Sequence, residues 1–374
     1  MMYDHHRERA KLRWTRSFLS TFLITLAVIY AFYFIPVPYY IYKPGTAEEL
    51  KPMVSVTNGD PEEKGTFMLT TVTMGRSSIL SLLTARLNPN VEIRKKQEVL
   101  RGSSEQEYST RQEYVMLDSQ GNAIQAAYKK ANIPYQIESQ GVLVMQAVEG
   151  YPAHGILQPG DRIVQVGTKP VIKHEDIVNE IKRHQADESV EVTIKRGKTE
   201  KKVAITLKDL NAIDAANGKP GAAGGESRVG LGISTAELLE IVPAQGDKKV
   251  TINAGEIGGP SAGLLFSLEI LNQLTPGDLT KGYRIAGTGT LDTSGNVCSI
   301  GGIRQKIVAA DREKADIFFA PADRKKGECN LSADVPNASD AADQAQKIGT
   351  KMKVVPVATM EEAVHYLETL NPKS

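Results

Sequence analysis

The sequence predicts an α+β multidomain protein with an N-terminal transmembrane helix, a small β-rich barrel or sandwich module, and a C-terminal α/β domain. Three observations carry this. Ser17 to Tyr42 contains no charged residue, and about 20 apolar residues suffice to cross a bilayer core as a helix. Residues 141 to 207 hold short alternating runs, "GVLVMQAV", "RIVQVG", "SVEVTIKRG" and "KKVAITL", the pattern of half-buried strands joined by turns. From Arg228 onward strand-like and helix-like stretches alternate, which reads as a mixed α/β or α+β domain. A chain of 374 residues leaves room for two or three such domains.

The N-terminal tail, residues 1–16, carries Arg7, Arg9, Lys11, Arg13 and Arg16 against Asp4 and Glu8. A basic flank stays in the cytoplasm, so the span at 17–36 is expected to send everything after it outward. Trp14 before the span and Tyr39, Tyr40 and Tyr42 after it suit the two interfaces. A cleaved signal peptide would end at a small-residue site, but the far end reads "FYFIPVPYYIYKPG", so an uncleaved anchor is expected. Over the whole chain the charge is balanced, 45 basic against 44 acidic side chains. Nothing in that balance suggests a nucleic-acid footprint, and no nucleic-acid partner is expected.

Residues 37–136 form a juxtamembrane α/β region. It has strand-like "MVSVT" and "TFMLTTVTM", then helix-like "SSILSLLTARL" and a longer helical stretch. Packing and positioning is the only role expected of it. Residues 209–227, rich in Ala, Gly and Asn, read as a linker or long surface loop. The "GKT" at 197–199 is no P-loop, because the glycine required upstream is Val192. No nucleotide or other cofactor is expected. The two cysteines, Cys298 and Cys329, have no metal-ligand spacing. No metal site is expected, and both are read as free or incidental thiols.

The stretch "GILQPGDRIVQVGTKPV", with its Gly160-Asp161 turn and Val166-Gly167, resembles a PDZ domain, assigned to residues 137–208. The resemblance implies capture of a peptide C-terminus by strand addition. The matching edge is Gly141, Val142, Leu143 and Val144, with the helix from His174 to His184 opposite. That helix offers the i, i+4 pair Ile177 and Ile181, and His174 stands where some PDZ domains read a hydroxyl side chain.

Ser261 in "GGPSAG" is a candidate nucleophile. "GPSAG" also satisfies G-x-S-x-G, the elbow of α/β-hydrolases, but that chemistry needs a histidine after the serine. Only His365 follows, in "MEEAVHYLETL", where it reads as an exposed helix residue. The other candidate base lies in "IGGIRQKIVAADREKA". There Lys306 shares a helix face with Ile303, Ile307 and Ala310. A buried lysine loses pKa and can accept a serine proton.

"GGPSAG" followed by Lys306 in "IGGIRQK", with "AGTGTLDTSGNVCSIGG" and "ADIFFAPADRK", resembles the proteolytic domain of Lon proteases, here residues 228–374. The layout as a whole resembles the membrane-tethered Lon-like proteases of Gram-positive bacteria. The resemblance implies Ser261 as nucleophile and Lys306 as its general base. Pro260 is expected at the start of the following helix, whose first N–H groups face the developing oxyanion. Two positions depart from the ATP-dependent enzymes. Gly258 stands where they commonly have an acidic residue, and Ala286 where they commonly have a threonine. Thr288 or Thr290 is left to supply that hydroxyl.

The implied activity is an ATP-independent serine endopeptidase at the cell membrane, its PDZ and protease domains outside the cytoplasm. It would act on extracytoplasmic peptides or small membrane proteins recruited by the PDZ module. The rival readings are a catalytically inactive PDZ adaptor and a Ser–His esterase. A homo-oligomer is open, because Lon-type domains often form rings.

Overall fold

The computed structural model describes residues 4–60, 62, 64–216, 227–244 and 246–373. Most of the expected Ala- and Gly-rich linker, residues 217–226, lies outside the described residues.

The chain opens with α1 (Asp4–Phe34). Within it Arg16–Phe34, 19 residues with mean hydropathy 1.9, is long and apolar enough to cross a membrane. At 1.5 Å per residue it spans about 28 Å, close to a bilayer core. There follow β1 (Pro36–Glu49), β2 (Val54–Val56), β3 (Thr66–Ser78), α2 (Ile79–Arg86), β4 (Glu92–Lys95), α3 (Lys96–Leu100) and α4 (Glu105–Lys130). The start of α4 is written in its sequence. Ser104 and Glu107 form a capping box, acidic Glu105 and Glu107 open the helix, and Lys129 and Lys130 close it, all favourable to the helix dipole.

The second section contains β5 (Tyr135–Ala147), β6 (Arg162–Val166), β7 (Lys169–Pro170), α5 (His174–Ile181), β8 (Ser189–Arg196), β9 (Thr199–Thr206), β10 (Lys208–Asp209), α6 (Leu210–Ala216), β11 (Val229–Gly230) and β12 (Ile233–Pro243). Its sheet runs β12-β5-β6-β8-β9, with β7 on β6. Val142, Val144, Ile163, Val192, Ile194 and Ile205 fill the core under it, closed by Ile177 and Ile181 of α5.

The third section contains β13 (Val250–Ile252), α7 (Gly263–Leu274), β14 (Arg284–Gly287), β15 (Thr290–Leu291), β16 (Val297–Cys298), α8 (Ile303–Arg312), β17 (Ile317–Pro321), α9 (Asn337–Ile348), β18 (Lys353–Val357) and α10 (Met360–Glu368). Its sheet has the order β18-β17-β14-β3-β1-β4. β14, β17 and β18 are parallel, and β14 also runs parallel to β3. Every residue of β17 is buried, as expected of an interior parallel strand covered on both faces. Leu264, Leu265 and Leu268 of α7 are fully buried, so truncating one would cost about 2–5 kcal/mol.

Three expectations are corrected. Residues 37–136 are not a separate region, because β1, β3 and β4 supply half of the sheet that β14, β17 and β18 complete. The boundary expected at 228 is also displaced. β12 pairs with β5 along its whole length, from Ile233↔Ala147 to Pro243↔Tyr135, and so closes the PDZ-like sheet. Finally, Cys298 and Cys329 are not free. They form a disulfide with 5.8 Å between their Cα atoms. The guanidinium of Arg324 donates to the carbonyls of Val297 and Ala358, drawing the loop that carries Cys329 against β16.

Candidate active site

The site is assembled from four elements. Ser261 lies in the turn before α7, Thr288 just after β14, Lys306 on the second turn of α8, and α4 holds the serine turn from behind. The serine turn is tied down at several atoms. The N–H of Gly259 donates to the Gln112 carbonyl at 2.9 Å, and the Ser119 hydroxyl donates to the Pro260 carbonyl at 2.8 Å. The Ser261 carbonyl accepts from the Gly289 N–H at 2.8 Å and from the Thr288 hydroxyl at 2.9 Å. Four polar contacts through which two distant chain segments grip one turn leave the Ser261 Oγ little freedom of direction.

Pro260 is not the first helical residue, as expected, because α7 begins at Gly263 with Ala262 as its N-cap. The proline belongs to the preceding turn. Its carbonyl, rather than its missing N–H, does the structural work there.

α8 is capped at its start by Gly302, whose φ is +71° and where a Cβ would lie 2.8 Å from Val72 Cγ2 of β3. Only glycine lets the helix start this close to the strand. Upstream, the Asn337 side chain accepts from the Ile300 N–H at 2.8 Å and donates to its carbonyl at 3.0 Å. Arg304, on the outer side, pairs with Asp340 and Asp343 of α9. The inner side of α8, with Ile303, Ile307 and Ala310, packs into a core with Met68, Ala286 and Phe318.

Lys306 sits on that inner side and is 3% exposed. Its Nζ is 2.6 Å from Ser261 Oγ and 2.9 Å from Thr288 Oγ1. Burial pushes its pKa from 10.5 down to about 7. Removal from water penalises the ammonium more than the neutral amine. The Thr288 proton goes to the Ser261 carbonyl, so Thr288 Oγ1 presents a lone pair to the lysine and aligns it. Between the two threonines left open by sequence, Thr288 reaches Lys306. Thr290 instead pairs with Cys298 in the β15–β16 ladder.

The pair opens onto a cleft of about 1390 Å³. Its walls include Thr70 to Met74 of β3, Tyr40 and Tyr42 of β1, Gln112 and Met116 of α4, and Gly258 to Ala262. β14 covers β3 only as far as Leu69. Beyond it, the side of β3 not paired to β1 faces the cleft. His365 is exposed on α10, in none of these walls.

The expected peptide edge is corrected. Gly141, Val142, Leu143 and Val144 are not a sheet edge, because β5 is paired with β12 on one side and β6 on the other. Val142 and Val144 are fully buried. Ile177 and Ile181, 5% exposed each, belong to the module's core. His174 is exposed at the start of α5. Its N–H donates to Glu237 Oε1 at 2.7 Å, and its Nδ1 is 2.9 Å from Thr235 Oγ1. Both partners lie on β12, the true outer strand.

Gln112, Ser119 and Asn337 were not anticipated. They act through the backbone of other segments, and no local pattern marks such a residue. The β3 wall was visible as a strand-like run, but nothing in the sequence said what it would face.

Residues 244–367 match the Lon protease (S16) C-terminal proteolytic domain, and residues 115–207 match the PDZ domain family. The chain therefore carries a PDZ domain and a Lon-type proteolytic domain. Lon protease of Chlamydia trachomatis is 37% identical over 75 residues, 20% of this chain and 9% of that protein. Lon protease of Elusimicrobium minutum is 30% identical over 117 residues, 31% and 12% of the two chains. That of aster yellows witches'-broom phytoplasma is 27% identical over 104 residues, 28% and 11%. The chain thus spans about a tenth of the length of the curated relatives it matches. The PDZ domain of an SdrC-like protein from Listeria monocytogenes is 20% identical, covering 26% of this chain and 88% of that one with a TM-score of 0.21. Its counterpart from Listeria innocua is 22% identical, covering 26% and 93% with a TM-score of 0.21. Structural likenesses this weak carry no weight.

Proposed function

We propose that this chain is a membrane-anchored, ATP-independent serine endopeptidase in which Ser261 is the nucleophile and Lys306 its general base. The observation that carries the reading is the 2.6 Å approach of a buried lysine amine, with its pKa near 7, to the Ser261 hydroxyl. Neutral Lys306 takes the hydroxyl proton as Oγ attacks the peptide carbonyl. The resulting ammonium returns the proton to the departing amine, leaving an acyl-serine. Lys306 then deprotonates a water that releases the acyl group. An extended substrate would lie along the open side of β3, pairing its backbone with Thr70 to Met74 and bringing its carbonyl over Ser261.

A location outside the cytoplasm is supported by the Cys298–Cys329 disulfide, a bond that oxidising compartments favour, and by the basic residues that precede the apolar span. For recruitment, we assign the peptide groove to the edge of β12 that has no strand partner among the described residues, opposite the start of α5. Entry to this strand requires Gly232, with φ +69° and a Cβ position 2.2 Å from Tyr151 Cβ. The ligand in this reading is an extended C-terminal segment of a peptide or small membrane protein.

The test is labelling of the purified chain by a fluorophosphonate, together with hydrolysis of an unstructured peptide. Both should be abolished in Ser261→Ala and in Lys306→Met, and the double variant should be no worse, because the two residues act as one unit. Wild-type protein that neither labels nor cleaves would make the chain an inactive PDZ adaptor. Loss of activity in His365→Ala with retention in Lys306→Met would hand the serine to a histidine.

A further inference from the structure

The outer side of α2 exposes two large leucines beside Thr84 and Arg86. Leu83 is 51% exposed and Leu87, its C-cap, 85%. Helical spacing lines up Ile79, Leu83 and Leu87, with Leu80 beside them, while Ala85 faces the body. Soluble domains do not usually leave such a row uncovered. Strand register says what covers it. Pro36, two residues past the end of α1, pairs with Ser78, the N-cap of α2. Neighbouring strands lie about 4.8 Å apart, so α2 starts beside the point where the chain leaves its apolar span. Among the described α1 side chains, Ala31 alone is not exposed, and α1 touches α2 and β3. Tyr30 and Phe34 stack at 5.2 Å on the last turns of α1, where aromatic rings sit at headgroup level. Arg86 is exposed in the last turn of α2.

We propose that α2 lies on the outer face of the bilayer crossed by α1, with Leu83 and Leu87 in the lipid, and that this second foothold sets the distance of the catalytic cleft from the membrane. The proposal rests on the membrane-anchored reading above. The same two strands that carry the footholds form the cleft wall. Met74 and Arg76 line the cleft four and two residues from Ser78. Val72, against which Gly302 and the start of α8 pack, is six residues from it. At about 3.3 Å per residue, Val72 lies at most on the order of 20 Å along β3 from Ser78, and Ser261 and Lys306 line the same cleft as Val72. A cleft held there selects polypeptide close to the bilayer: the short extracytoplasmic stems of membrane-anchored proteins, and peptides adsorbed to the lipid. Without α2, the chain would turn freely about a single helix, and its cleft would sample solvent as readily as the surface.

The experiment uses the full chain in phosphatidylcholine–phosphatidylglycerol vesicles. Because Cys298 and Cys329 are joined, Leu87→Cys supplies the single free thiol for an environment-sensitive dye, and Lys198→Cys in the turn between β8 and β9 serves as control. The dye at 87 should shift to the blue and be quenched by shallow doxyl lipids, and the dye at 198 should not. In parallel, Leu83→Glu/Leu87→Glu should slow cleavage of a membrane-anchored substrate with a stem of about eight residues at least about fivefold, through lost effective concentration. The same variant should cut a soluble peptide at the wild-type rate. If the chain floats with vesicles but position 87 is as wet as position 198, α2 is off the membrane and the proposal falls while the anchor stands. Failure to float removes the anchor reading itself. Dye-to-dye transfer between copies without lipid quenching would assign α2 to a protein contact and overturn the proposal.

Discussion

If Lys306 is the base, activity must follow its neutral fraction. Burial takes its pKa to about 7, against about 10.4 for lysine in water. At pH 7 roughly half the molecules then carry a neutral amine, where an ordinary lysine would leave only about 0.04%. That is a gain of about a thousandfold in competent enzyme, or ~4–5 kcal/mol at about 1.4 kcal/mol per pH unit. The measurement is the second-order rate of fluorophosphonate labelling of Ser261 from pH 5 to 9, checked by hydrolysis of a reporter peptide. The rate should climb about tenfold per pH unit between 5 and 6.5, bend near 7 and flatten above about 8. His365→Ala should trace the same curve, which separates the lysine from a histidine base. A rate still rising tenfold per unit at pH 9 would mean that water reaches the amine and that the burial argument is wrong. The same bend in Lys306→Met would mean that another group is the base.

Lys306→Met should also stabilise the fold. The folded state prefers the neutral amine, so the unfolded chain binds more protons between about pH 7 and 10.4 and wild-type stability rises with pH across that window. The penalty is complete below about 7, where the variant should gain most, on the order of a few kcal/mol. Chemical denaturation at pH 6.5 and 9.5 reads the difference, which should shrink at the higher pH. Thr288→Val keeps shape but removes both the contact to Lys306 and the donor to the Ser261 carbonyl. The turnover number should fall about 10²-fold or more with little change in substrate affinity, and a fall confined to affinity would deny the threonine its aligning role. Cys298→Ser/Cys329→Ser opens a bridge between residues 31 apart, worth ~3–4 kcal/mol on a chain-entropy argument. Unfolding of the oxidised and reduced protein should show that gap. On the PDZ side, Ala236→Trp on the open edge of β12 should weaken cleavage of a full-length substrate and spare a short peptide at high concentration, and equal losses on both would make β12 part of the fold alone.

What the sequence determined by itself was set within single elements. An uncharged run from Ser17 to Tyr42 identifies the apolar span, because transfer into lipid depends on composition over about 20 residues. Lys306 could be singled out because a lysine among Ile303, Ile307 and Ala310 has one direction in which to point, and Ser261 because small residues flank it. The strands of the PDZ domain were legible for the same reason, since alternation reports which face is buried. What the sequence left open were relations between elements. The partner of β5 is β12, almost a hundred residues away, and either strand alone reads as an edge. Thr288 and Thr290 are two residues apart and chemically alike. Only the path of the chain after β14 brings the first under Lys306 and commits the second to the β15–β16 ladder. Cys298 and Cys329 meet where Arg324 binds the backbone beside Cys298, and β3 borders the cleft where its pairing with β14 ends at Leu69. Side-chain periodicity records burial along one segment, whereas which segments bury one another is decided by the free energy of the whole packed chain, and that choice is made only in three dimensions.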